Sequence, residues 1–271
     1  MFTITGFADE LCSGFEKQMN LWREMQIDWL ELRSAWGVNV MDLTDRQLEE
    51  IKNISSAAGV RVSCIGSPIG KTYIEDSFDF EMRRLRRACD IAVYLNTDRV
   101  RVFSFYSRTG NILDFKESVL CRLREMADYA RQRNIVLLHE NEANVYGEHS
   151  AQSAEIAREL KTEYFGLVFD PANYSVAGED ALISEEIMHP YISYMHVKDY
   201  SGHNLTMSIP GEGVSGIAEI FNRLRDRDMF ISMEPHLSVA GQFGGETSPE
   251  QYMCAVESVR RILREEEIPF R

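Results

Sequence analysis

The sequence predicts an α/β protein folded as a single (β/α)8 TIM barrel, and three observations carry that prediction. Eight short β-branched or apolar runs alternate in order with amphipathic stretches, and the 271 residues match the roughly 250 that such a barrel requires. No G-x-G-x-x-G follows the first run, which speaks against the competing doubly wound open sheet. One domain spanning residues 1–271 is therefore expected. The predicted strands are Phe2–Phe7, Trp29–Leu32, Val60–Ile65, Arg99–Phe105, Ile135–His139, Phe165–Phe169, Ile192–Val197 and Met229–Met233. Runs such as Ile135-Val136-Leu137-Leu138 are apolar on both faces, as strands covered by helices must be.

Between the strands, apolar residues recur at helical spacing. They are Phe15, Met19 and Trp22; Leu48, Ile51 and Ile54; Val119, Leu123 and Met126; Ile217, Phe221 and Leu224; then Tyr252, Val256, Val259 and Leu263. Each set lays one apolar stripe along a helix, to be buried against the sheet. Two helix starts carry a chemical mark. Thr44 with Gln47, and Ser248-Pro249 with Gln251, have the capping-box spacing that satisfies unpaired N–H groups.

Composition narrows the function. The 29 basic and 43 acidic residues leave a net charge of −14, which repels phosphate backbones and argues against a nucleic-acid partner. No apolar run reaches the ~18 residues of a membrane span, and the start of the chain lacks the basic stretch of a signal peptide. Cys12, Cys64, Cys89, Cys121 and Cys254 are scattered without a C-x-x-C pair, which suits a reducing, cytoplasmic setting. Cys89 and Cys254 fall on apolar helix faces and are expected to be buried packing residues.

In a parallel barrel, chemistry gathers where strands end and βα loops begin. The last four strands run out into His139-Glu140-Asn141-Glu142, Phe169-Asp170-Pro171-Ala172-Asn173, His196-Val197-Lys198-Asp199 and Glu234-Pro235-His236. Each carries a metal-capable side chain at a corresponding place: Glu140, Asp170, His196 and Glu234. Three carboxylates and an imidazole converging from neighbouring strands repel one another without a cation. The oxygen-rich donor set suits one Mn²⁺, Mg²⁺ or Co²⁺ ion and tolerates Zn²⁺.

These segments also resemble the xylose-isomerase-like TIM-barrel superfamily, in its sugar phosphate isomerase/epimerase family. The resemblance runs over nearly the whole chain. Its marks are Gly6-Phe7-Ala8-Asp9-Glu10, Glu31-Leu32-Arg33, Ser67-Pro68-Ile69-Gly70-Lys71 and the four strand ends above, with Pro210-Gly211-Glu212-Gly213 between the last two. It implies that Glu140, Asp170, His196 and Glu234 ligate a single metal, and that Glu140 and Glu234 also move protons as the catalytic pair. The metal would hold two adjacent substrate oxygens and stabilise an enediolate, while one carboxylate removes the proton alpha to the carbonyl and the other delivers one. The implied activity is that of a divalent-metal-dependent isomerase or epimerase of a small sugar, sugar phosphate or polyol derivative. Several epimerases carry a His three residues after the Asp, where this chain has Asn173, an amide that can hydrogen-bond but not exchange protons.

Other polar residues take supporting places. Lys198 shares the parity of His196 and points the same way, as a substrate contact. Asn173, His236 and Arg33 are further substrate-binding candidates; Arg33 could instead pair with Glu31. Glu142 shares the parity of Glu140 and is an alternative ligand, Asp199 an orienting residue and His139 a satisfied packing histidine. Gly241-Gln242-Phe243-Gly244-Gly245 reads as a loop rather than a phosphate cradle, since Glu246 adjoins it. The expected partner is a small sugar or polyol, with homo-oligomerisation left open. Competing activities are dehydration of an inosose-like keto-polyol, phosphodiester hydrolysis as in the superfamily's endonuclease branch, and sugar binding without turnover. Six histidines and a charge of −14 weigh against the endonuclease chemistry, which uses several metals and more His ligands.

Overall fold

The computed structural model describes residues 1–160, 162–238 and 247–271. Eight parallel strands form the barrel: β1 (Phe2–Gly6), β2 (Trp29–Leu32), β3 (Arg61–Ile65), β4 (Arg99–Val102), β5 (Val136–Glu140), β6 (Phe165–Phe169), β7 (Ile192–Val197) and β8 (Met229–Met233). They hydrogen-bond in the order β1-β8-β7-β6-β5-β4-β3-β2. Strands β1 and β2 then lie side by side, which brings the sheet round to a nearly closed barrel.

Among the described residues the surrounding helices are α1 (Phe15–Glu24), α2 (Asp45–Ala58), α3 (Phe78–Tyr94), α4 (Lys116–Gln132), α5 (Ser150–Glu159), α6 (Pro171–Val176), α7 (Ala181–Met188), α8 (Ile217–Leu224) and α9 (Pro249–Glu265). Both marked helix starts are capped. Thr44 and Gln47 exchange bonds in a capping box at α2, and Ser248 accepts from Gln251 N at α9 with Pro249 in the first turn. None of these helices is long and apolar enough to cross a membrane.

Strand alternation divides the side chains into two populations. Phe2, Ile4, Leu30, Val100, Leu137, Leu167, Met195 and Ile231 face outward and pack with the helix stripes in one continuous core. Burying each large apolar side chain of this kind contributes about 1.5–3 kcal/mol. A small inner cluster of Cys64, Leu138, Val168 and Tyr194 fills the barrel itself. Above it, at the C-terminal ends of the strands, the inward positions turn charged.

Some expectations need correction. The fourth strand stops at Val102 rather than Phe105, because Phe103 N and Phe105 N bond to Ile69 O and Gly70 O of the preceding loop instead of continuing the ladder. That loop passes so close that a Cβ on Gly70 (φ +87°) would sit 2.1 Å from Phe103 O, which only glycine avoids. The fifth strand extends to Glu140. Cys89 is buried, but Cys254 is exposed. The buried stripe of α9 runs through Tyr252, Ala255, Val256, Val259, Ile262 and Leu263, and residue 254 lies off it.

Candidate active site

Glu140, Asp170, His196 and Glu234 meet at the C-terminal mouth of the barrel. One ligand atom from each lies within 4.8 Å of the others, and all four residues are buried. Each arrives by the same local logic: a β-strand ends pointing inward, and the next residues turn out into a loop. Glu140 closes β5 and Asp170 immediately follows β6, where it also caps α6 by accepting from Asn173 N. His196 is the penultimate residue of β7, and Glu234 follows β8.

His196 sits at the centre. Its Nδ1 lies 2.9 Å from Glu140 Oε1 and 3.1 Å from Glu234 Oε2, and its ring meets Phe7 edge-on with centroids 5.2 Å apart. Burial alone would lower the imidazole's pKa, but Glu140, Glu31 and Glu234 around it raise it well above the ordinary value. Burial likewise opposes ionisation of Glu140, yet His196 and Arg101 hold its carboxyl at about 2. Lys198, His236 and His196 overcome burial at Glu234 and hold that group well below the carboxylate range. Asp170 goes the other way. Burial raises it to about 6 despite Lys198, whose Nζ is 2.7 Å from Asp170 Oδ2.

Three buried carboxylate oxygens, Glu140 Oε2, Asp170 Oδ2 and Glu234 Oε2, make ion pairs without well-aligned hydrogen bonds, with Arg101 at 3.1 Å, Lys198 at 2.7 Å and His196 at 3.1 Å. Three buried carboxylates converging on one point repel one another, and a cation among them lowers that cost. Hard, anionic oxygen donors beside one imidazole fit a divalent cation, so the residues present match the group that the sequence implies.

The supporting residues fall into two groups. Lys198 and Arg33 join the cluster directly: Lys198 Nζ is 3.7 Å from Glu234 Oε2, and Arg33 Nη1 is 3.1 Å from Glu234 Oε1. Arg33 pairs with Asp9, at 2.9 Å from Nε, rather than with Glu31. His236 Nε2 lies 3.3 Å from Glu234 Oε1 and 3.4 Å from Glu10 Oε1. Asn173 stays at the rim, its side chain donating to Asn141 O, while Asn141 exchanges two bonds with the backbone of Asp170. Glu142 is turned away and pairs with Lys71 at 2.7 Å, so the alternative ligand is not part of the cluster. His139 points outward, fully buried beneath Gly147, with no partner on either ring nitrogen among the described residues; it packs but is not satisfied. Burial lowers its pKa to about 4, which keeps the ring neutral. Asp199 orients a loop, accepting from Gly211, Gly213 and Ser215 N. The segment 241–245 lies outside the described residues.

The sequence reading assigned no role to Asp9, Glu10 or Arg101, and gave Glu31 none beyond a partner for Arg33. Arg101 Nη1 is 3.1 Å from Glu140 Oε2, and the inward alternation of Arg99-Val100-Arg101-Val102 was the available signal. Glu10, raised by burial to about 7 in spite of His236 and Arg33, lies beyond the end of β1 in a short 3-10 turn, where strand parity says nothing.

A family model described as xylose isomerase-like TIM barrel matches residues 20–262. No curated protein matches the chain significantly. Solved structures share the fold at low identity. A D-tagatose 3-epimerase-like protein is 15% identical with a TM-score of 0.79, covering 98% of each chain. The probable 3-DHS dehydratase AsbF from Bacillus anthracis is 17% identical with a TM-score of 0.74, covering 96% of this chain and 99% of its own. A xylose isomerase-like TIM barrel protein from Mycobacterium smegmatis in complex with magnesium is 17% identical with a TM-score of 0.74, covering 98% of this chain and 97% of its own.

Proposed function

This chain belongs to the xylose isomerase-like TIM-barrel family, and from that membership we propose that residues 1–271 act as one divalent-metal-dependent isomerase or epimerase of a small ketose or keto-polyol. The observation that carries the reading is the buried quartet, whose ligand atoms lie within 4.8 Å of one another. Glu140, Asp170, His196 and Glu234 would hold a divalent cation, which would supply Lewis-acid stabilisation of developing negative charge. Glu140 and Glu234 supply the proton movement. Both are held ionised, so either can accept the proton alpha to a carbonyl, and the carboxyl so formed can return it. Arg33 and Arg101 fix the two carboxylates from behind, at 3.1 Å each. Lys198 from within the cluster, and Asn173 and His236 beside it, offer hydrogen bonds to substrate hydroxyls.

The cations at the mouth favour an uncharged substrate. Arg33 is matched to Asp9 and Glu234, Lys71 to Glu142, Arg101 to Glu140 and Lys198 to Asp170. A phosphate would have to break one of these pairs. Dehydration of a keto-polyol is a second reading, favoured by the Lys198 ammonium, which lies beside Glu234 as a donor to a leaving hydroxyl.

The test is incubation of the metal-reconstituted protein in D₂O with a panel of ketoses, keto-polyols and their phosphates, followed by NMR. Deuterium at a carbon alpha to the carbonyl of an unphosphorylated member is the expected result, and loss of water identifies the second reading. Exchange in no member, with metal bound, overturns the proposal.

A further inference from the structure

We propose that Glu31 is a positioning residue that fixes which ring nitrogen of His196 faces the carboxylate cluster, and so prepares the site for a divalent cation. This rests on the metal reading above. Glu31 lies on β2, buried inside the barrel and outside the quartet. Its Oε2 is the meeting point of three contacts. Ser232 Oγ donates at 2.7 Å, Tyr194 Oη donates at 2.9 Å, and His196 Nε2 lies 3.2 Å away.

The chemistry of the pair fixes a proton on Nε2. An ionised carboxylate only accepts, so the nitrogen facing it carries a proton. Nδ1 faces Glu140 and Glu234 at 2.9 and 3.1 Å and so carries a proton as well in the metal-free site. A divalent cation would take the place of that proton and leave the Nδ1 lone pair as ligand, while Glu31 keeps the proton on Nε2. An imidazole can ligate a cation only through that lone pair, and a carboxylate on the far nitrogen is the usual means of holding it there.

The same oxygen also ties down two of the strands that carry the quartet. Tyr194 precedes His196 by two residues on β7, and Ser232 precedes Glu234 by two on β8, so each shares its partner's inward face. Ser63 of β3 braces the Tyr194 hydroxyl at 3.2 Å, and Thr5 of β1 braces Ser63 at 2.8 Å. One buried carboxylate thus links β2, β7 and β8 beneath the cluster.

The experiment compares wild type, Glu31→Gln and Tyr194→Phe by Mn²⁺ titration and by NMR of protein labelled with ¹⁵N-histidine. Wild type should show a slowly exchanging Nε2–H signal from His196 in the metal-free state. Glu31→Gln should lose that protection and bind Mn²⁺ about 10–100-fold more weakly. Tyr194→Phe keeps the shape and removes one donor to Glu31, so it should weaken Mn²⁺ binding by a smaller factor. It carries the test should Glu31→Gln not fold. An unchanged Nε2–H signal and unchanged affinity in the folded variants overturn the proposal. Failure of wild type to bind Mn²⁺ overturns the functional reading instead, and the metal-free Nε2–H signal still tests Glu31's hold on the ring.

Discussion

Glu140 and Glu234 are asked to do two things, to donate electrons to a cation and to exchange a proton, and substitution can separate them. Gln keeps an oxygen donor and a similar volume but accepts no proton. Glu140→Gln and Glu234→Gln should therefore stay folded and hold some metal, while turnover falls by about 10²–10⁴-fold in each. Isotope exchange on whichever substrate the D₂O panel identifies measures this, and full activity in either variant with metal bound would remove the two-carboxylate mechanism. In an epimerase each variant should still exchange the alpha proton from the face that the other residue serves. These residues were legible in the sequence because each stands at the same place, at the end of an apolar strand. Glu31 was not, since it lies inside β2, just past a register shift between Leu30 and Glu31, and its partners are up to 201 positions away.

At the scale of elements, the alternation of strand and helix was readable wherever an apolar stripe was strong. It was weak in α3, whose buried face is carried by Met82, Leu85, Ala88, Cys89 and Ala92 among arginines, and of these the sequence singled out only Cys89. Strand ends were blurred where a loop borrows the next strand's hydrogen bonds, as at Phe103 and Phe105. Loop order after β7 depends on one side chain. Asp199 is fully buried and takes three backbone N–H groups at 2.8–3.0 Å. Asp199→Ala strands those donors, at about 1–3 kcal/mol for each that water cannot reach. Urea unfolding should show a loss of about 3 kcal/mol or more, with amide protection lost first at Gly211, Gly213 and Ser215. A change below about 0.5 kcal/mol would mean that the loop holds itself.

For the whole molecule, the site is a concentrated part of a chain that is already strongly acidic. Asp9, Glu10, Glu31, Glu140, Asp170 and Glu234 crowd the mouth against Arg33, Arg101 and Lys198, in a chain of net charge −14. Without a cation, the excess negative charge is relieved only by proton uptake, to which the raised pKa values of His196, Glu10 and Asp170 all point. A ligand that binds only the folded state stabilises it by about 2.7 kcal/mol at a hundred times its dissociation constant. For a chain of this size that corresponds to a rise in Tm of roughly 5 °C. Thermal unfolding of chelator-treated protein, repeated with Mn²⁺ added, should show this rise. Asp170→Ala should lose it together with most of the metal affinity, because Asp170 contributes one of the three anionic donors of the quartet. Removing one buried carboxylate also lessens the repulsion, so metal-free Asp170→Ala should lose less stability than truncating a buried, paired group normally costs, about 3–5 kcal/mol. The two effects separate by design: the first is a difference between metal-loaded and metal-free protein, the second a difference between metal-free proteins. An equal Mn²⁺ shift in wild type and Asp170→Ala would place the cation elsewhere and take the quartet out of the mechanism.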